Sequence, residues 1–382
     1  MPQTSVLIVD DSPAICRLLA EVLSRDPAIH VCGTAGDPFE ARDKIKALSP
    51  DVITLDIEMP RMDGLTFLEN LMRLRPMPVV MCSNLTSKDA KATLRAFELG
   101  AVDFINKTQM LQDAKRGDTA EDIAAIIKAA ARANLRRASL VRAASSPTHT
   151  VAPETLPEPV PSPVAKAAPA TLKPTRDIIA IGSSTGGTEA VKEILSKLPP
   201  TLPGIVIAQH IPAAFSGSFA DRMNRSTELT VKQAEDGEVI HQVCVYIAPG
   251  GHHLEVLRRQ GHLVCRVYEG ERVNRHMPSV EVLFDSVTAI ANRRTISIML
   301  TGMGKDGAEG MKRLHDAGAR TIAQDEATST VFGMPAAAIE LGAADHVLPL
   351  QSIAQRILEL TYNGEMCLIK NGPEAPTVSA TS

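Results

Sequence analysis

Apolar residues fall along this chain in short blocks, each followed by a stretch of helical period. Val6-Leu-Ile-Val9 is an uninterrupted apolar run that stops at Asp10-Asp11, and residues 13–23 then repeat apolar positions at helical spacing. The pair recurs: strand-like 29–35 with helix-like 37–48, strand 52–55 with helix 65–74, strand 79–82 with helix 88–99, strand 101–105 with a helix near 119–135. Five strands alternating with five helices predict a doubly wound α/β unit on a parallel sheet. A second series opens at residues 178–181, which run into Gly182-Ser-Ser-Thr-Gly-Gly187 and a helix over 188–195. It continues with a strand at 205–209 and a helix at 215–223. A β-rich middle (243–248, 254–257, 263–267) has turns at Pro249-Gly-Gly and Gln260-Gly261 and predicts an antiparallel excursion. Helix 279–291, strand 295–300, helix 308–315, strand 321–323, a helix near 335–340 and residues 351–360 complete another mostly parallel α/β unit.

Between the two series the pattern lapses. Residues 143–174 are dominated by Ala, Pro, Ser and Thr without hydrophobic period, which predicts an extended linker. The expected division is 1–135, a linker at 136–175, a second domain at 176–362 and a polar tail at 363–382. Lys128, Arg132, Arg136, Arg137 and Arg142 make the helix before the linker basic, which suits a solvated face or an acidic partner. A net charge of −4 and 3% aromatic residues argue against nucleic-acid binding. No 18-residue apolar run and no signal peptide are found, so a cytoplasmic protein without membrane insertion is expected. Six scattered cysteines without a C-x-x-C fit reduced thiols.

Candidate chemistry gathers at strand ends, where open α/β sheets bind ligands. In the first unit Asp10, Asp11, Asp56, Ser83 and Lys107 all fall there. Converging carboxylates repel unless a cation joins them, and hard oxygen ligands suit Mg²⁺. A carboxylate can accept a phosphoryl group, with a lysine and a hydroxyl to meet its oxygens. Asp37, by contrast, reads as a plain helix cap. In the second unit Gly182-Ser183-Ser184-Thr185-Gly186 fits the G-x-S-x-G form, with Ser184 at the tip of a strand–turn–helix. Nucleophile, anion cradle and simple turn all suit that stretch alone. His210 and Asp306 also end strands, so a serine nucleophile, a histidine base and an orienting aspartate could meet across one crevice. Ser184–Asp306–His346 is a second possible set, and Asp306 could instead cap its own helix. His252-His253 lacks a third ligand and suits a surface or turn.

The motifs support two resemblances. Val9-Asp10-Asp11-Ser-Pro, Asp56-Ile-Glu-Met-Pro-Arg-Met-Asp-Gly64 and Phe104-Ile-Asn-Lys107 resemble the flavodoxin-like receiver domain of two-component response regulators. That resemblance implies Asp56 as phosphoacceptor from a histidine kinase, Asp10, Asp11 and Asp56 as the Mg²⁺ ligands, and Lys107 as the phosphate-contacting lysine. Ser83 becomes the switch hydroxyl and Phe104 the aromatic switch, while Thr108 stands where receivers usually have proline. Gly182-Ser-Ser184-Thr-Gly-Gly187, Gln209-His210-Ile-Pro, Pro249-Gly-Gly251, His276-Met-Pro-Ser-Val280 and Leu300-Thr-Gly-Met-Gly-Lys-Asp306-Gly are similar to the catalytic domain of the chemotaxis protein-glutamate methylesterase family.

What that family implies is a phosphorylation-activated hydrolase. It would demethylate glutamates on chemoreceptors and deamidate glutamines, with Ser184 as nucleophile, His210 as base and Asp306 as orienter. Backbone N–H groups near Thr185 and Met303 would hold the oxyanion, and no cofactor would enter the ester chemistry. Lys305 replaces a frequent Asn and Met277 a frequent Arg, which implies tuned substrate contacts. The rivals are a response regulator with a binding output, disfavoured by the Ser/His/Asp set, and a stand-alone hydrolase of small esters, disfavoured by the receiver.

Overall fold

The computed structural model describes residues 3–84, 87–113, 120–133, 177–291 and 294–362. The expected linker and the C-terminal tail lie outside the described residues.

The first unit runs β1 (Thr4–Val9), α1 (Pro13–Ser24), β2 (Ile29–Ala35), α2 (Pro38–Leu48), β3 (Val52–Asp56), α3 (Gly64–Leu74), β4 (Val79–Ser83), α4 (Ser87–Leu99), β5 (Asp103–Asn106), α5 (Lys107–Asp113) and α6 (Ala120–Ala131). All five strands are parallel, in the order β2-β1-β3-β4-β5. Every residue of β3 and β4 is buried, as expected of central strands covered on both faces. Asp37 is the expected cap: its Oδ1 accepts from the N–H groups of Phe39 and Glu40 at 2.8 and 3.0 Å. The short α5 was not expected, and it starts at Lys107 itself. Of the basic helix end, Lys128 pairs with Asp26 inside this unit.

The second unit runs β6 (Ile178–Ser183), α7 (Gly187–Leu195), β7 (Gly204–Gln209), α8 (Ala213–Ser226), β8 (Thr230–Gln233), β9 (Cys244–Ile247), β10 (His253–Arg259), β11 (His262–Tyr268), α9 (Val280–Thr288), β12 (Thr295–Met299), α10 (Ala308–Asp316), β13 (Arg320–Gln324), α11 (Met334–Glu340), β14 (His346–Leu348) and α12 (Leu350–Tyr362). Seven parallel strands take the order β14-β13-β12-β6-β7-β9-β8. The expected antiparallel excursion is present but shorter than expected: β9 is parallel to both β7 and β8, and among the described strands β10 and β11 alone form an antiparallel pair.

Strand periodicity sorts the core into two layers. Ile179, Ile181, Ile205 and Ile207 face α7, α8 and α12, whereas Ile178, Ala180, Val206 and Ala208 face α9, α10 and the β10–β11 ribbon. Each large aliphatic side chain fully buried in this way contributes roughly 1.5–3 kcal/mol.

The two units dock. Leu94 of α4 is buried in the core cluster that contains Phe215 and Phe219 of α8. The Phe104 ring meets that of Phe215 edge-on, with centroids 4.9 Å apart. Glu98 accepts an ion pair from Arg222 at 2.9 Å, and Arg222 also reaches Glu189 at 2.7 Å. The α4–β5–α6 side of the first unit thus faces the carboxyl edge of the second sheet.

Candidate active site

In the second sheet β6 lies between β7 and β12, and the chain leaves β6 toward β7 before returning to β12 on its other side. Loops diverge at such a switch point and open a crevice beyond the strand ends. Ser184 follows β6, His210 follows β7 and Asp306 lies in the loop after β12. All three line one cavity of about 680 Å³.

Asp306 carries most of the order. His210 Nε2 lies 2.8 Å from Asp306 Oδ2. The same oxygen accepts the Val280 N–H at 2.6 Å, while Oδ1 accepts from Asn274 Nδ2 and Ser279 Oγ, both at 2.8 Å. The carboxylate therefore sits on the N-terminus of α9, where the helix dipole favours negative charge. It does not cap its own helix, because Gly307 holds that position. Burial opposes its charge, but the bond and charge from His210 and the donors of Asn274 and Ser279 outweigh that and pull its pKa down to about 2. An ionised Asp306 fixes the proton on His210 Nε2. The lone pair is then on Nδ1, a buried atom with no partner. Imidazole in this tautomer is a base awaiting a proton.

His276 stacks on His210 with ring centroids 3.6 Å apart and planes 7° from parallel. Burial, then the charge of the neighbouring His210, push the His276 pKa down to about 4. A second histidine that stays neutral can brace the first without competing for protons. His210, His276 and Asp306 lie close enough to share an ion. Parallel rings direct their lone pairs in parallel planes, however, and Asp306 is already filled by donors, so the set is built for hydrogen bonding. The stack also carries a pH signature. The unfolded chain binds a proton at His276 near pH 6.5 and the folded chain only near 4, so stability is full above 6.5 and falls between those values. The loss should total about 3 kcal/mol. Calorimetry should show the second unit's Tm falling across that window, and His276→Gln should flatten the slope.

The Ser184 turn is held by its neighbours. Gly186 has φ +77°, the left-handed region, and a Cβ there would lie 2.4 Å from Thr330 Oγ1. Gly302 passes so close that its Cβ would lie 2.8 Å from the Cβ of Ser184. Gln209 ties the two strand ends together: its Oε1 accepts from Ser183 Oγ at 2.6 Å, and its Nε2 donates to the carbonyls of Ser184 and His210 at 2.9 and 3.1 Å. Thr185 and Met303 line the cavity beside Ser184. Among the described residues, Ser184 Oγ has no hydrogen bond in this closed arrangement. Catalytic contacts commonly tighten only with substrate bound.

The cavity is roofed by the first unit. Asp103 and Phe104 of β5 and Ile123 and Ile126 of α6 line it. Thr185 Oγ1 donates to Asp103 Oδ2, and burial pushes the Asp103 carboxyl above its ordinary range. Arg275 on the opposite lip pairs with Glu121 and Asp122 at 3.3 and 3.2 Å.

Two further histidines lie away from the Ser184 crevice. His346 sits on the edge strand β14 with its Nε2 2.6 Å from Arg356, two strands beyond β12 and away from Asp306. His253 is not a surface residue: it is buried, its Nε2 2.8 Å from the Glu271 carbonyl and its Nδ1 accepting from the Ser279 N–H at 3.3 Å. It braces the loop that carries His276. Asn274, His276, Ser279 and Gln209 escaped sequence reasoning as site residues, and only the motif matches around His276 and His210 hinted at the last three.

At the other end, the first unit gathers its polar set. Lys107 Nζ lies 2.7 Å from Asp10 Oδ2 and 2.8 Å from Asp56 Oδ1. Burial raises the Asp56 pKa to about 6 against the pull of Lys107. Asp10, Asp11 and Asp56 offer oxygens within 4.8 Å of one another, an all-oxygen set that fits a hard divalent cation. Ser83 Oγ is 3.3 Å from Thr93 Oγ1, at the end of the strand beside Asp56. Phe104 faces Phe215 in the interface.

Comparison with known proteins matches residues 6–115 to the response regulator receiver domain family and residues 179–357 to the CheB methylesterase family. A protein-glutamate methylesterase/protein-glutamine glutaminase 1 of Hahella chejuensis is 52% identical over 92% of this chain and 95% of its own length. A protein of the same name from Xanthomonas campestris is 49% identical over 93% of this chain and 97% of its own. The crystal structure of the Thermotoga maritima CheB methylesterase catalytic domain is 41% identical, covers 49% of this chain and 99% of that one, and superposes with a TM-score of 0.48.

Proposed function

The chain belongs to the family of response-regulator protein-glutamate methylesterases/protein-glutamine glutaminases, and from that footing we propose that Ser184, His210 and Asp306 carry its hydrolysis. The observation that supports the assignment is the charged Asp306, held by five donors, fixing one proton on His210 and leaving the other ring nitrogen buried without a partner. His210 Nδ1 takes the Ser184 proton as Oγ attacks the γ-carbonyl carbon of a methylated glutamate. The tetrahedral adduct collapses with methanol leaving, protonated by His210, and water releases the glutamate from the acyl-serine by the same sequence. A glutamine side chain would lose ammonia by the same steps. Backbone N–H groups near Thr185 and Met303 would hold the oxyanion, a contribution of about 3–4 kcal/mol.

The domain division proposed is a receiver over residues 1–135, a linker at 136–175 and a catalytic domain at 176–362. Asp56 is the phosphoacceptor, with a chemotaxis histidine kinase as donor and methyl-accepting chemoreceptors as substrates. Asp10, Asp11 and Asp56 would hold Mg²⁺, which when bound neutralises phosphoryl oxygens. Lys107 and Ser83 meet the phosphate, and Phe104 carries the change to the interface. No described helix is long and apolar enough to cross a membrane.

Inhibition in this arrangement is electrostatic as well as steric. Asp103 sits on the side chain of Thr185, next to where an oxyanion would form. Phosphorylation adds ~1.5–2 negative charges at the far side of β5 and withdraws the roof. Methanol release from methylated receptor membranes should rise about 5–150-fold on adding Mg²⁺ and a small acyl phosphate, the usual range for coupled sites. Asp56→Asn should hold the rate at the unstimulated level. A rate indifferent to the donor in the parent protein would remove the switch from this reading.

A further inference from the structure

Arg275 is the one arginine of the catalytic lip whose guanidinium is clasped by the receiver among the described residues, and its backbone is unusual. Asn274 and Arg275 both take left-handed φ, +51° and +69°, although neither is glycine. Strain of this kind persists only where surrounding structure imposes it, and it concentrates at functional sites. Here Asn274 is anchored on Asp306 and His276 on His210, so the residue between them is thrust outward over the cavity mouth. Its side chain is 70% exposed and meets Glu121 and Asp122, the acidic first turn of α6. Arg272 and Lys305 line the same mouth, so three cations surround the entrance of a chain whose net charge is −4.

We propose that Arg275 is a specificity residue that reads a carboxylate near the scissile ester on a helical substrate segment, and that α6 imitates this segment when the receiver is docked. The inference rests on the esterase reading above. Helix α6 supplies each feature that the substrate would need. It walls the cavity as a helix, Ile123 and Ile126 are among the apolar residues that line it, and its paired carboxylates meet the Arg275 fork. A planar guanidinium with several donors suits a carboxylate better than an ammonium does. When phosphorylation withdraws the receiver, Arg275 loses these partners and is free to pair with an acidic side chain of the incoming protein. The ester itself is neutral, so the attraction must come from its neighbours.

The test uses the phosphorylated full-length protein and two helical peptides. Each carries one glutamate γ-methyl ester, flanked one helical turn away by glutamate in one peptide and by glutamine in the other. Wild-type protein should favour the acidic peptide about three- to fivefold in kcat/KM, the scale of an exposed ion pair. The preference should reside in KM and shrink with added salt. Arg275→Glu should reverse the ratio and Arg275→Lys should retain part of it. Because the readout is a ratio within one variant, a loss of folded protein cancels. An unchanged ratio in Arg275→Glu would overturn the inference while leaving the esterase intact, whereas methanol from neither peptide with the wild type would overturn both. A second arm concerns α6. Glu121→Gln with Asp122→Asn should raise the unphosphorylated rate on the acidic peptide a few-fold, and no rise would refute the imitation.

Discussion

Ser184→Ala should lower kcat for methanol release about 10⁴–10⁶-fold, while the protein remains folded and still accepts phosphate at Asp56. The magnitude follows from the removal of the attacking atom from a set that acts as a unit; what survives is the contribution of substrate binding and oxyanion donors to direct attack by water. Folding should be nearly untouched. The Ser184 hydroxyl makes no hydrogen bond in the docked form among the described residues, and the turn is fixed by Gly186, Gly302 and Gln209 rather than by that side chain. The measurement is initial-rate methanol release beside a thermal melt and receiver phosphorylation. Residual turnover within tenfold of wild type would mean that another residue attacks. A response regulator with a binding output would lose nothing.

Asp306→Asn should cost about 10³–10⁴ in kcat, for a different reason. Both carboxylate oxygens accept: Oδ2 from His210 and Val280, Oδ1 from Asn274 and Ser279. An amide can replace only one of them, so its NH₂ confronts donors whichever way it turns. If it faces His210, the imidazole must carry its proton on Nδ1, and the base presents N–H where a lone pair is needed. If it faces Asn274 and Ser279, the loop that also positions His276 is disturbed, and stability should fall by about 1–3 kcal/mol per buried donor left unpaired. Kinetics and a chemical denaturation curve together separate the two orientations. A variant with near-normal kcat would exclude Asp306 as the residue that orients the base.

Strand-end chemistry was the most legible part of the sequence, because a buried parallel strand is a solid apolar run and the residue that breaks it stands out. Asp56, Ser83, Ser184 and His210 are visible that way. The features that sequence pattern misplaces share a physical cause. β8 buries only Val231 fully and sits at the sheet edge, so it leaves no period to detect. β9 resembles part of an antiparallel ribbon because it is adjacent in sequence to turn signals, yet its partners β7 and β8 are set by the tertiary arrangement. The loop Arg272 to Ser279 has neither helical nor strand spacing. Its value to the site lies in backbone conformations and in what Asn274, His276 and Ser279 reach across the crevice. The docking of receiver on catalytic domain was likewise invisible, since a half-buried Phe104 or Asp103 declares no partner in one dimension.

The hydrogen bond between Asp103 and Thr185 ties a strand of the receiver to the residue after Ser184. On the proposed reading the receiver and a substrate protein claim the same cleft, so their binding would be mutually exclusive, and free-energy linkage would make the exclusion symmetric. Whatever phosphate does to open the cleft for substrate, substrate in the cleft does in equal measure to favour the phosphate-bearing receiver. The enzyme would then act as a coincidence detector: an array dense in methylated helices makes each phosphoryl group on Asp56 count for more, and an array already cleared of them lets the roof settle back.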